Sequence, residues 1–362
     1  MRPKPFQEML AAEHNSLNFV RLCLALMVLW THAFTQSGGV LVADPFIAMT
    51  GYKLGDHAVN VFFVISGIVT TASLSRSRSL PRFLAGRGLR IVPAVFVVSI
   101  VMALIAGPLL TSLPPRAYFS QPDVISYIAR TSLFLPGHPL LPGVFATNPM
   151  PHVTNEPLWT VKYELICYLM LAVAGGMLAH AGNRMKKLVV VLVIAACVAT
   201  TAIIPIPLGG MADQLRSFVF CYSLGVAAYL WADSLPVDGR CLAGLAVLTV
   251  ALATTRFYAP LAVIFTGYAA LWAARFSYGP LRAWANRTDL SYGIYILHWP
   301  VAQILAASLP GITIYPLMAA TTAIVMPLAW ISWTMIERPA LAFKAVRRER
   351  RPGDGSTQRI GP

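Results

Sequence analysis

The chain has 362 residues, 57% of them hydrophobic and only 12% charged, and its mean hydropathy is +0.66. A water-soluble domain carries about twice that share of charge, so the composition excludes one. It indicates an all-α polytopic membrane protein, because helices whose apolar runs cross a core of ~30 Å keep every backbone group paired. The net charge of +14 does not point to nucleic acid. The basic residues fall in short segments between apolar runs, where they mark the cytoplasmic side of a membrane.

Ten spans are expected, at 18–36, 57–75, 91–110, 157–180, 188–205, 213–232, 241–256, 259–274, 290–308 and 313–335. The first contains Arg21 and His32 and is too long for a signal-peptide core, so it reads as a retained span. With the N-terminus inside, the cytoplasmic segments hold 21 Lys and Arg and the external ends hold 5. That asymmetry predicts both termini in the cytoplasm. The divisions are a short cytoplasmic segment 1–17, a membrane domain 18–335 and a basic tail 336–362 expected to be disordered. The longest external segment, 111–156, is rich in Pro and Gly and reads as a loop without secondary structure, a kind that is often functional. The five cysteines, Cys23, Cys167, Cys197, Cys221 and Cys241, lie in or beside apolar runs and read as buried free thiols. No internal repeat is evident, and no spacing suggests a metal site.

An ionisable residue inside a span is costly and therefore a functional candidate. In "RLCLALMVLWTH", Arg21 and His32 are eleven residues apart, about 20° off three full turns, so they share one helix face ~16 Å apart along the axis. In "NVFFVISG", Ser66 can hydrogen-bond a substrate or its own helix, and Gly67 permits close backbone approach. Arg87 and Arg90 in "RGLRIVP" face the same way. They form either a phosphate-binding fork or a positive-inside anchor. "NEPLWTVKYEL" holds Asn155, Trp159, Lys162 and Glu164, with Glu164 ~10 Å inside the span. Lys162 and Glu164 do not face each other, so each needs a partner elsewhere. "SYGIYILHWP" places Ser291 and Tyr292 at a cytoplasmic end and His298 near mid-depth, with Pro300 expected to loosen the helix. His32, Glu164, Ser66 and His298 all fall ~6–15 Å below the outer ends of their spans. Together they suggest a polar cavity opening outward, opposite the Arg87/Arg90 fork.

These motifs run in order through nearly the whole chain: Arg21-x10-His32, "FFVISG", the arginines with Pro93, "LWTVKYE", "SYGIYILHWP" and the "ERP" of Glu337 to Pro339. In this order they resemble the acyltransferase-3 family of integral-membrane acyltransferases, in its form without a fused SGNH domain. The resemblance implies transfer of an acyl group, most often acetyl, from cytoplasmic acetyl-CoA or another acyl-CoA to a sugar hydroxyl. Acceptors in the family include exopolysaccharide, and a lipid-linked saccharide would serve. It implies an essential role for Arg21 and His32 and donor binding at Arg87 and Arg90. It also implies a bacterial inner-membrane location, no tightly bound cofactor and no nucleic-acid partner. Two departures stand out: Asn60 where many relatives carry an acid before the Phe pair, and Tyr163-Glu164 where many carry two Glu. On this reading His32 is the general base, Glu164 orients it, and Ser66, Tyr292, His298, Asn155 and Trp159 shape the pocket. Oligomeric state and acceptor identity are not legible. The rival reading is a proton-coupled permease with Lys162, Glu164 and the two His as a relay.

Overall fold

The structure is a computed structural model that describes residues 6–10, 15–39, 44–77, 79–135, 137 and 139–349. Helices occupy all ten apolar segments: α1 (Leu17–Gly38), α2 (Leu54–Ser75), α3 (Leu80–Val101), α4 (Leu158–Met177), α5 (Asn183–Val198), α6 (Gly210–Leu230), α7 (Gly239–Ala251), α8 (Tyr258–Ala273), α9 (Ser291–Ser308) and α10 (Ile314–Ser332). No strand occurs among the described residues. Length and apolar composition qualify six as able to cross a membrane: α1, α2, α3 with its extension to Leu110, α4, α5 with its extension to Ile203, and α10 with its extension to Phe343. α7 and α8 are apolar but shorter. α9 is more polar, and most of its side chains are buried against protein rather than exposed at the surface.

α1 is the central helix. Val20, Leu24 and Val28 belong to the large apolar core, while Leu22, Ala25 and Leu29 belong to a smaller cluster with Ile294 of α9 and Val325 of α10. α1 packs on α2, α9 and α10, and α2 packs in turn on α6. That last contact explains a motif glycine. A Cβ on Gly67 would lie 2.2 Å from the Tyr222 carbonyl oxygen, and one on Gly225 would lie 2.0 Å from that of Val64. Neither backbone can yield without parting the helices. Gly67→Ala is therefore expected to destabilise the protein by about 1–3 kcal/mol through overpacking, read as a lower thermal midpoint in detergent. A midpoint equal to that of the parent would mean the helices are not this close.

Three expectations need correction. Segment 111–156 contains helices Pro115–Phe119 and Pro122–Ser132. Pro122 begins the second, where a missing N–H costs nothing, and Val124, Tyr127 and Thr131 bury one face against the bundle. The expected disordered tail is helical from Arg338 to Glu349, where Ala, Leu, Lys, Arg and Glu all favour helix. Residues 350–362 lie outside the described residues, as does most of 1–14. Cys23 and Cys241 are exposed rather than buried, while all five thiols are free.

Candidate active site

α1 and α9 run parallel and meet at two polar levels. At one level Arg21 Nη1 lies 2.5 Å from Asp289 Oδ2, just before α9 begins. At the other, His32 Nδ1 lies 2.8 Å from His298 Nε2. The shared face read from the Arg21–His32 spacing is therefore the face that α1 turns toward α9.

The histidine pair has a defined proton order. His298 Nδ1 is 3.0 Å from the Ile294 carbonyl oxygen, which can only accept, so Nδ1 carries the proton. In the neutral ring His298 Nε2 is then bare and accepts from His32 Nδ1–H. The Nε2 of His32 is left as an unprotonated nitrogen with no hydrogen bond among the described residues. The two ring planes are 7° apart with centroids 5.1 Å apart. With the nitrogens at 2.8 Å, the rings meet edge to edge, the geometry of an in-line hydrogen bond. Trp299 closes on His32 edge-on at 5.0 Å. His298 is fully buried, whereas His32 is partly accessible.

The α9 turn carrying this pair is held from outside. Pro300 has no N–H for the Ile296 carbonyl, yet α9 continues through it. The Asn155 amide donates to that carbonyl at 2.9 Å, so the proline does not loosen the helix as expected. Trp299 Nε1 donates to Val153 O, Gln303 Nε2 to Met150 O and Val153 O, and Asn148 Nδ2 to Gln303 O. Phe145 and His152 take left-handed backbone conformations in this strap, with φ of 57° and 63°. Such strain persists only where surrounding contacts enforce it. Gln303→Leu would leave the Met150 carbonyl without its donor and take one of two donors from the Val153 carbonyl, which keeps Trp299 Nε1. A loss of about 1–3 kcal/mol is expected, with faster protease cleavage in 144–155 as the readout. Unchanged cleavage would mean the strap does not depend on Gln303.

Glu164 is not part of the histidine pair. It accepts from Ser66 Oγ at 2.9 Å and from the Tyr168 hydroxyl one turn along α4. The expected single polar cavity is thus divided into two, because α4 turns Glu164 toward α2 while α1 turns His32 toward α9. The role of orienting His32 passes to His298. Lys162 sits over the Tyr163 ring at 5.1 Å. A cavity of about 60 Å³ joins Glu164 to Arg21, Phe62, Thr160, Tyr292 and Tyr295, so three of the expected site residues do share a space.

The arginine fork is also divided. Arg90 donates to the same Asp289 oxygen as Arg21 and lies 4.0 Å from Glu337 Oε2. Its guanidinium sits over the Tyr292 and Trp333 rings. Arg90 is thus bound internally. Arg87, one turn earlier, stacks on Tyr168 at 6.0 Å, and its buried Nε has no hydrogen-bond partner. Tyr292 donates to the Ile91 carbonyl, and Ser291 to Asp289 Oδ1. Burial alone would raise the Asp289 carboxyl, but Arg21 and Arg90 hold it well below the usual carboxylate range. Asp289 stands just before its motif, between helices, where sequence spacing gives no sign of its two arginine partners.

Two curated relatives extend along the chain. One, an "O-acetyl transferase" of Shigella phage Sf6, is 27% identical over 342 residues, covering 90% of this chain and 95% of that protein. The other, "Nodulation protein 10" of Rhizobium leguminosarum bv. viciae, is 26% identical over 372 residues, covering 94% and 96%. No solved structure matches the chain. Residues 14–336 match the acyltransferase-3 family, described as an acyltransferase domain. That stretch contains both polar levels between α1 and α9, and the chain belongs to this family of integral-membrane acyltransferases.

Proposed function

We propose that the chain transfers an acetyl group from cytoplasmic acetyl-CoA to a saccharide hydroxyl at the outer side of a bacterial inner membrane. The proposed topology has ten crossings with both termini in the cytoplasm. The parallel run of α1 and α9 supports it, since an odd number of crossings must lie between helices that start on the same side, and α2 to α8 are seven. The observation that carries the chemistry is the His32–His298 hydrogen bond, which leaves His32 Nε2 bare. In the proposed step the acceptor hydroxyl gives its proton to that nitrogen as its oxygen bonds to the thioester carbonyl carbon. The carbon–sulfur bond breaks, and the imidazolium returns the proton to the departing CoA thiolate. His298 fixes the His32 tautomer throughout. Because Arg90 is engaged by Asp289 and Glu337, donor phosphates fall to Arg87, whose Nε is unpaired. A four-group proton relay for a permease gains no support, since Lys162 and Glu164 are not hydrogen-bonded to either histidine.

Membranes containing the protein, supplied with labelled acetyl-CoA and saccharide, test this directly. Label should enter saccharide only with functional protein. Arg87→Ala is expected to raise the KM for acetyl-CoA about tenfold, with a smaller change in kcat, as loss of a charge-assisted contact made equally in ground and transition states would do. Saccharide counterflow without acetyl-CoA consumption would overturn the reading.

A further inference from the structure

The outer side holds a second, larger cavity of about 490 Å³ between helix Pro122–Ser132, the strap, α4 and the start of α6. Its size is that of a small-molecule site. It adjoins the histidine pair through one layer of chain. Val153 and Asn155 line it, and the same two residues hydrogen-bond Trp299 and the Ile296 carbonyl on the His298 turn.

The lining is that of a saccharide site with a charge requirement. Trp159 offers an aromatic surface to apolar sugar faces. Asn155 spends its amide nitrogen on α9, and its Oδ1 is buried without a partner, an acceptor in need of a hydroxyl donor. Two cations, Arg130 and Lys162, line the cavity with a single carboxylate, Glu156. Neither cation forms an ion pair with any described carboxylate. Lys162 lies within α4, one turn from its outer end, where an unpaired ammonium is costly.

We infer that this cavity takes one end of the acceptor, and that the acceptor carries an anionic group, carboxylate or phosphate, on the end held there. In this arrangement Arg130 and Lys162 grip the anion, Trp159 supports a sugar ring, and Asn155 Oδ1 receives a sugar hydroxyl. The inference rests on the proposed acyl transfer to saccharide and adds the acceptor's charge to it. Neutral saccharides leave the cations unpaired and bind more weakly.

The test uses the full chain in detergent without donor and three probes: a glucuronate-bearing oligosaccharide, the same compound with its carboxyl reduced to an alcohol, and a hexose 1-phosphate. The glucuronate or phosphate probe, or both, should bind, whichever is tighter naming the source of the charge. The reduced probe should bind about tenfold more weakly or worse, as expected for loss of a charge-assisted hydrogen bond. Lys162→Met and Arg130→Gln should each remove most of that difference. Arg130 is exposed on a loop helix, so its variant remains readable if Lys162→Met does not fold. Equal binding of the charged and reduced probes, or binding of neither charged probe, would overturn the inference. Labelled acetyl-CoA is added in a second step. Charged-probe binding without any transfer would sink the proposed activity and spare the cavity; equal transfer to the reduced probe would do the reverse.

Discussion

His32→Ala is expected to lower acetyl transfer by about a hundred- to ten-thousandfold, the range for loss of a positioned general base, and to cost about 1–3 kcal/mol of stability, because the buried His298 Nε2 loses its donor. The stability cost stays within that range because His32 is itself partly accessible. The partner gives a sharper arm. His298→Leu leaves His32 Nδ1–H with nothing to donate to, so the ring can turn or move its proton to Nε2, the nitrogen required bare. A fall of about ten- to a hundredfold is expected, of the size seen when a group orienting a functional histidine is lost. His298→Gln places an amide oxygen where Nε2 stood and should recover part of that loss. A merely structural His298 would give Leu and Gln variants with equal activity. Normal transfer by His32→Ala would end the general-base assignment.

Much of the scaffold for this pair was legible because helical periodicity is a local property. Arg21 and His32 share a face by their spacing alone, and the structure turns that face to α9. Gly67 was readable for the same reason, since a glycine inside an apolar run invites a close crossing. What spacing does not encode is the partner. Ser66, Glu164, His32 and His298 have similar depths, so depth suggested one cavity. Helix rotation decides otherwise, and rotation is set by long-range packing such as the Gly67–Gly225 crossing of α2 and α6. Rotation divides the Arg87/Arg90 pair in the same way. Both arginines do face one direction, but one turn of helix separates a residue that meets Asp289 and Glu337 from one that meets neither. In the strap, composition gives the absence of helix but not the tether. Its Pro and Gly content suggested a loop free of structure, whereas Asn148, Asn155 and Gln303 bind it to α9 through contacts more than a hundred residues apart in sequence.

Asp289→Asn should be the most damaging single substitution for stability, costing about 3–5 kcal/mol, the range for stranding buried charge after removal of one partner. Arg21 and Arg90 both converge on Asp289 Oδ2, and their side chains are 23% and 14% exposed. Without the carboxylate, two guanidiniums face each other across a neutral amide. Arg90→Met should cost less, because Asp289 keeps Arg21 while Glu337 loses the cation 4.0 Å away and retains Ser332. Arg21→Met should cost least, since Arg90 still neutralises Asp289 and Arg21 is the more exposed of the two. The expected order of thermal midpoints is therefore Arg21→Met above Arg90→Met above Asp289→Asn. The pH dependence has a definite sign. The Asp289 carboxyl is held below its ordinary value in the folded protein, so its contribution is fully present above the unfolded carboxylate value of about 3.9. It is lost as pH falls through the folded value. Between pH 7 and pH 3 the gap between parent and Asp289→Asn should begin to narrow only near the lower limit. A gap that closes by pH 6, or an Arg21→Met variant less stable than Asp289→Asn, would mean that the shared carboxylate is not what joins α1, α3 and α9 at this level.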